Sequence, residues 1–142
     1  MTRLLFLLAA MLLVGATTPI QPGKWQTTVT IVDVQGGMPG MAAMMKGRPT
    51  VVSACVSPVD AARGPRAAIE KTNGACHYIS YAVSGGRISS VMQCVRPGGT
   101  MTVRSSGSYS PAMIDVHGVA TMTGGMAMTL KTHTISKRIG GC

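Results

Sequence analysis

The feature that most constrains the fold is a series of short segments in which polar and apolar residues alternate. This period of two is typical of β-strands with one buried face. Glycine pairs separate several of the segments, as at Gly85-Gly86 and Gly124-Gly125, and such pairs favour hairpin turns. Seven strands are predicted, over residues 24–34, 50–56, 76–84, 87–96, 100–110, 113–123 and 126–137. The turn-separated series in the second half predicts an antiparallel meander.

One short helix is predicted after the second strand, starting at Ser57 and continuing as far as Lys71, with an interruption at Gly64-Pro65. Ser57 is a suitable N-cap, Pro58 suits the first helical position, and Asp60 adds an acid to the first turn. The residues between the first two strands, 35–49, are rich in Gly, Pro and Met and predict a long loop. Gly107 and Gly118 lie within strands and predict bulges or bends. The predicted class is therefore all-β, with a curved sheet that forms a barrel or half-barrel, and a sandwich as the alternative.

The N-terminus has the pattern of a cleaved signal peptide. Arg3 precedes an uncharged apolar run over residues 4–14, and Val14 and Ala16 stand three residues and one residue before the predicted cleavage site. A run of this length is too short to span a bilayer, which needs about 20 residues. We expect a signal peptide over residues 1–16 and one domain over residues 17–142, periplasmic or secreted, with no membrane span.

The four cysteines of the expected mature chain predict two disulfides. An even number of cysteines in an exported domain is typical of a disulfide framework, and no C-x-x-C pair indicates a metal site instead. A hairpin centred on Gly85 places Cys76 opposite Cys94. This pairing leaves Cys55 to pair with Cys142.

Short motifs in a fixed order give the chain a family resemblance. They are Pro22-Gly23-Lys24-Trp25, Met38-Pro39-Gly40-Met41, Cys55-Val56-Ser57-Pro58, Ser84-Gly85-Gly86-Arg87-Ile88 and Arg138-Ile139-Gly140-Gly141-Cys142. With the four cysteines, this pattern resembles the exported proteobacterial family of domains of unknown function 3617 (DUF3617). The resemblance implies a periplasmic or secreted protein of a Gram-negative bacterium and assigns no activity, ligand or catalytic residue.

Charge and motif content argue against several classes of function. The chain has 13 Lys and Arg against 4 Asp and Glu, and the excess reflects missing acids rather than the dense basic patches of nucleic-acid binders. No nucleophile elbow, paired carboxylates or nucleotide-binding glycine motif is present in the sequence. We therefore expect no enzyme, no cofactor and no nucleic-acid partner. An anionic component of the cell envelope is an alternative partner.

A methionine-rich loop offers the one specific chemistry. Met38, Met41, Met44 and Met45 fall within eight residues, and thioethers are soft ligands that suit Cu(I). Histidines 77, 117 and 133 could add nitrogen ligands, and Asp115 could pair with His117 on one strand face. A Cu(I)-binding protein is thus one alternative; an apolar lid over one mouth of the sheet is the other interpretation of these methionines.

The favoured interpretation is a binding module whose sheet takes a small apolar or amphipathic ligand. Within 76–84, alternation places His77, Ile79, Tyr81 and Val83 on one face. The candidate ligand-binding side chains are Ile79, Tyr81, Val103 and Tyr109. Trp25 and Arg138 are expected to be structural, with Arg138 partly buried against Asp33 or Asp115.

Overall fold

A computed structural model of the chain describes residues 19–66 and 75–142. The predicted signal peptide and the last part of the predicted helix, up to Lys71, lie outside the described residues. Those described form seven strands and two short helices. In chain order they are β1 (Gly23–Gly36), α1 (Met41–Met45), β2 (Pro49–Val56), α2 (Pro58–Ala62), β3 (Cys76–Ser84), β4 (Arg87–Arg96), β5 (Gly99–Ser110), β6 (Met113–Gly124) and β7 (Met128–Gly140). Across these two ranges no helix is long and apolar enough to cross a membrane.

The strands form one antiparallel sheet in the order β2-β1-β7-β6-β5-β4-β3. Strands β3 to β7 are the predicted meander, and β1 returns to pair with β7. Within the described ranges β2 and β3 do not pair, so the sheet is not closed. This confirms the predicted all-β class and selects the open form over the barrel.

Three register shifts interrupt the described ladders, two between β1 and β7 and one between β3 and β4. The shift between Tyr78 and Ser80 changes which residues of β3 face the core. His77 and Ile79 are exposed, whereas Tyr81 and Val83 pack against buried residues. The predicted single face for residues 77–83 was therefore wrong, because a bulge adds one residue and reverses the alternation.

The mid-strand glycines of β5 and β6 do not mark bulges. Both pass through the β5–β6 ladder without a register shift, so the prediction of bulges at these positions was wrong. At Gly107 an added Cβ would instead collide with the carbonyl oxygen of Asp115 and lie 2.7 Å from the Cα of Val116. This glycine permits close approach of two backbones, the other role of glycine within strands.

The two helices lie where the chain leaves β1 and β2. Ser57 caps α2 as predicted: its Oγ accepts a hydrogen bond from the Asp60 N–H at 3.2 Å and donates to Asp60 Oδ2 at 2.9 Å. The segment predicted as a loop contains α1, and β1 itself continues to Gly36. Met41 and Met45, one helical turn apart, pack against the sheet.

Both predicted cysteine pairs lie at disulfide-bonding distance. The Cα atoms of Cys76 and Cys94 are 4.1 Å apart, and these residues are directly opposite in the β3–β4 ladder. The Cα atoms of Cys55 and Cys142 are 5.9 Å apart. The first bond ties an edge strand to its neighbour, and the second ties the other edge strand, β2, to the C-terminus.

Two apolar clusters occupy opposite ends of the inner face of the sheet. The tryptophan cluster comprises the buried residues Ile20, Trp25, Val56, Ala61, Ile88, Tyr109, Ile114 and Val116, with Tyr81 and Val83 packed against them. The methionine cluster comprises Ala120, Met128 and Leu130, with Ile31, Val34, Met41, Met45, Met101, Val103 and Met122 packed against them. Strands that run from one cluster to the other have further inward-facing residues, which lie between the two clusters.

Candidate functional site

A groove of about 580 Å³ lies on the inner face between the two clusters. All seven strands contribute lining residues, including Thr50 and Val52 from one edge strand and Tyr78 from the other. Because both edges of an open sheet line one cavity, the sheet must curl around it as a half-barrel. This geometry gives the domain a concave surface of ligand size.

The two ends of the groove are apolar. Ile88, Ile114 and Val116 belong to the tryptophan cluster and line one end, while Val103 and Leu130 from the methionine cluster line the other. Such side chains favour contact with apolar groups of a ligand, because burial of apolar surface is favourable by about 25 cal/mol per Å².

A row of hydroxyls crosses the middle of the groove. Thr132 and Ser105 are both register partners of Gly118, and Ser105 is also the partner of Ser90. A Cβ at Gly118 would lie 2.8 Å from Thr132 Oγ1 and 3.2 Å from Ser105 Oγ. Glycine thus leaves room for the two hydroxyls above the floor of the groove.

A second pair of hydroxyls lies beside the tryptophan cluster. Thr27 Oγ1 and Ser136 Oγ are 2.5 Å apart and satisfy each other. Ser136 is buried, and both residues line the groove. Within the row, Thr132 Oγ1 donates to the carbonyl oxygen of Gly118 at 3.5 Å. The Thr132 hydroxyl oxygen and the hydroxyls of Ser90 and Ser105 are therefore the groups placed to contact a polar group of a ligand.

None of the described residues that line the groove is a Lys, Arg, Asp, Glu or His. This is notable in a chain with 13 basic and 4 acidic residues. A charged ligand buried here would lose hydration without gaining an ionic partner. The described lining therefore offers no ionic partner to a charged group.

The structure brings only one of the four predicted ligand-binding residues into the groove. Val103 lines it, whereas Tyr109, at 8% exposure, is buried in the tryptophan cluster. Tyr81 packs against that cluster, and Ile79 is 58% exposed beyond the bulge. The hydroxyl row was missed, although Ser90 and Ser105 could have been found by combining the period of two with hairpin register.

The four methionines of the proposed copper loop are divided by α1. Met41 and Met45 pack into the methionine cluster, while Met38 and Met44 are exposed. A Cβ added at Gly37 would lie 3.2 Å from Met41 Sδ. The sulfur of Met41 therefore lies against the end of β1. The packed pair covers one end of the sheet, as the apolar-lid interpretation expects.

The outer face of the sheet carries a histidine cluster, formed by Asp115, His117 and His133. Asp115 and His117 are two residues apart on β6, and His133 on β7 is the register partner of His117. The sequence suggested that Asp115 could pair with His117. The structure instead shows Asp115 Oδ1 2.7 Å from Nε2 of His133 on the neighbouring strand.

Arg138 binds main chain rather than a carboxylate. Its Nε donates to the carbonyl oxygen of Pro22 at 2.7 Å. The expected partners Asp33 and Asp115 contact Lys131 and His133 instead. Trp25 is buried, and its Nε1 donates to the carbonyl of Gln21 at 2.9 Å. Both side chains therefore hold the segment that leads into β1.

Comparison with known families gives one result. The profile of the family described as "Protein of unknown function (DUF3617)" matches residues 20–142. Searches of curated proteins and of solved structures gave no significant match.

Proposed function

The chain belongs to the DUF3617 family of proteins of unknown function, and from its groove we propose that it is a non-enzymatic binding protein for a small, neutral, amphipathic molecule. The observation that carries this proposal is the uncharged groove of about 580 Å³ lined from all seven strands. Its volume falls within the range of about 300–1,000 Å³ typical of small-molecule sites.

The lining specifies the chemistry of the ligand. Apolar portions would lie against the clusters at the two ends, and a hydroxyl, carbonyl or ether oxygen would meet Ser90, Ser105 and Thr132. A buried polar group on the ligand needs such a partner, because an unsatisfied one costs about 1–3 kcal/mol. A ligand with apolar ends and a polar middle therefore fits better than a plain hydrocarbon.

The alternatives of an anionic envelope component and Cu(I) receive less support. An anion has no basic partner among the groove residues that the structure describes. For Cu(I), the structure separates the packed Met41 and Met45 from the exposed Met38 and Met44. A single site that uses all four sulfurs would require α1 to leave the sheet.

The proposed compartment is the periplasm or the exterior of a Gram-negative cell. Two cysteine pairs at bonding distance support it, because disulfides persist mainly in oxidising compartments. The apolar run after Arg3 would direct export and be removed. Mass analysis of the protein from its host should then give a mature chain that begins at Thr17.

A pair of variants tests the groove. Ser105→Phe places a ring over the hydroxyl row, whereas Ser106→Phe adds the same ring to the exposed face of the same strand. The neutral fluorescent probe N-phenyl-1-naphthylamine should bind the wild type and Ser106→Phe alike. Its affinity for Ser105→Phe should fall at least about tenfold, since filling the cavity removes its contact surface.

Native mass spectrometry identifies the occupant. Protein isolated from the host periplasm should carry a neutral small molecule that dissociates on denaturation and is absent from Ser105→Phe. Equal probe binding by the two phenylalanine variants, with both shown to be folded by circular dichroism, would refute the groove as the site. A retained anion would favour the envelope-polymer alternative.

A further inference from the structure

On the outer face, opposite the groove, we propose a binding site for a divalent transition-metal ion at Asp115, His117 and His133. One potential ligand atom from each residue lies within 4.8 Å of the other two. The site is independent of the proposed groove function, because alternation along β6 and β7 directs these three side chains away from the inner face.

The antiparallel ladder produces this juxtaposition. His117 and His133 are direct cross-strand partners, and Asp115 is on the same face one pleat along β6. The two imidazole rings stack with centroids 4.3 Å apart and planes 3° from parallel. The stack thus brings the ring nitrogens of two histidines together on the outer face, and imidazole nitrogen is a common ligand of transition metals.

The partner of Asp115 is unusual for this chain. Of the acids in the described residues, Asp33 contacts Lys131 and Asp60 contacts Arg63. Asp115 contacts an imidazole instead, despite the chain's excess of basic residues. Its carboxylate is therefore kept beside two nitrogen ligands.

The ligand set selects the kind of metal. Two imidazoles and one carboxylate suit Zn²⁺, Ni²⁺ and Cu²⁺, whereas Ca²⁺ and Mg²⁺ prefer oxygen alone. The side chains of His133 and Asp115 are 30% and 33% exposed and His117 is exposed, so an ion can enter from solvent. Three protein ligands leave a coordination position for water.

Little rearrangement is needed to bind the ion. Ligand atoms about 2.0–2.2 Å from a tetrahedral zinc are about 3.4 Å apart, so the 2.7 Å contact between Asp115 and His133 must open slightly. The stacked rings must tilt towards a common point. Rotation about χ2 of histidine is broad, which makes this adjustment inexpensive.

Zinc titration of the untagged, disulfide-bonded protein tests the proposal. Isothermal titration calorimetry should show one saturable Zn²⁺ site per chain. His117→Ala and His133→Ala should each weaken it at least about tenfold, since each removes one of three protein ligands. His77→Ala is the matched control, because this third histidine lies on β3 outside the cluster. The affinity of this variant for Zn²⁺ should equal that of the wild type.

Nuclear magnetic resonance of the wild type provides a readout that does not depend on the stability of variants. Zn²⁺ should shift the imidazole signals of His117 and His133 and leave those of His77 in place. If binding does not saturate at Zn²⁺ concentrations up to about 1 mM, the affinity is too weak for a specific site and the proposal is overturned. Equal weakening by all three alanine variants, or by none, would also overturn it.

Discussion

Replacement of Gly107 by alanine tests whether close backbone approach shapes the sheet. The three atoms nearest to the added Cβ are main-chain atoms of β6, namely the carbonyl carbon and oxygen of Asp115 and the Cα of Val116. Main chain held in a ladder on both sides cannot move aside as a flexible side chain can. The substitution should therefore displace β5 from β6 where the sheet curls beside the tryptophan cluster.

The expected cost follows from two opposing effects. Overpacking in a well-packed region costs about 1–3 kcal/mol, and alanine recovers about 0.4–1 kcal/mol by restricting the unfolded chain. The difference between the midpoints of these two ranges is a net loss of about 1.3 kcal/mol in the free energy of unfolding. With an entropy of unfolding of about 2.1 cal/mol/K per residue over residues 20–142, Tm should fall by about 5 °C.

Differential scanning calorimetry measures this change, with Gly125→Ala as the control. A Cβ at Gly125 meets nothing within 4 Å, so that variant should match the wild type or gain a few tenths of a kcal/mol, about 1–3 °C in Tm. If Gly107→Ala melts within about 2 °C of Gly125→Ala, close approach at Gly107 is not required and the reasoning fails.

Three further variants test the disulfide, the Arg138 hydrogen bond and the methionines that pack against the sheet. Replacement of both Cys76 and Cys94 by alanine opens a loop of separation 18 and should cost about 3 kcal/mol in urea unfolding; a loss below about 1 kcal/mol would contradict this. Arg138→Met removes a hydrogen bond to main chain and should cost about 0.5–1.5 kcal/mol, measured in the same way. Joint replacement of Met41 and Met45 by leucine conserves apolar volume and should change stability by less than about 1.5 kcal/mol, whereas a much larger loss would indicate that the sulfurs have a specific role.

Local patterns predicted the strands and placed the two cysteines of the β3–β4 hairpin within one residue of direct opposition. The register that pairs Ser84 with Arg87 at the turn would place Cys76 opposite Val95, and the bulge between Tyr78 and Ser80 shifts it by one residue so that Cys76 lies opposite Cys94. The N-cap of α2 was also predictable, because capping depends on side chains within one turn. These features need only residues close in sequence or one hairpin apart.

The faces of β3 could not be predicted in the same way. The bulge between Tyr78 and Ser80 has no glycine or proline to mark it, and one extra residue moves Tyr81 to the opposite face from that predicted by simple alternation with Ile79. Because of this error, Ile79 and Tyr81 were placed on the same face in the set of candidate ligand-binding residues. A bulge is selected by packing of the completed sheet, here the contact of Tyr81 and Val83 with the tryptophan cluster.

The groove and the histidine cluster both depend on register accumulated across several strands. Thr132 and Thr134 line the groove, so His133 between them must face outward, and Val116, which also lines the groove, imposes the same direction on the adjacent His117. A one-residue slip between β6 and β7 would end the direct pairing of the histidines, and an inserted residue within β7 would carry His133 to the inner face. The groove on one face and the proposed metal ligands on the other therefore both depend on the β6–β7 register. A substitution that shifts this ladder should impair both sites together, whereas Ser105→Phe and His117→Ala should each impair only one.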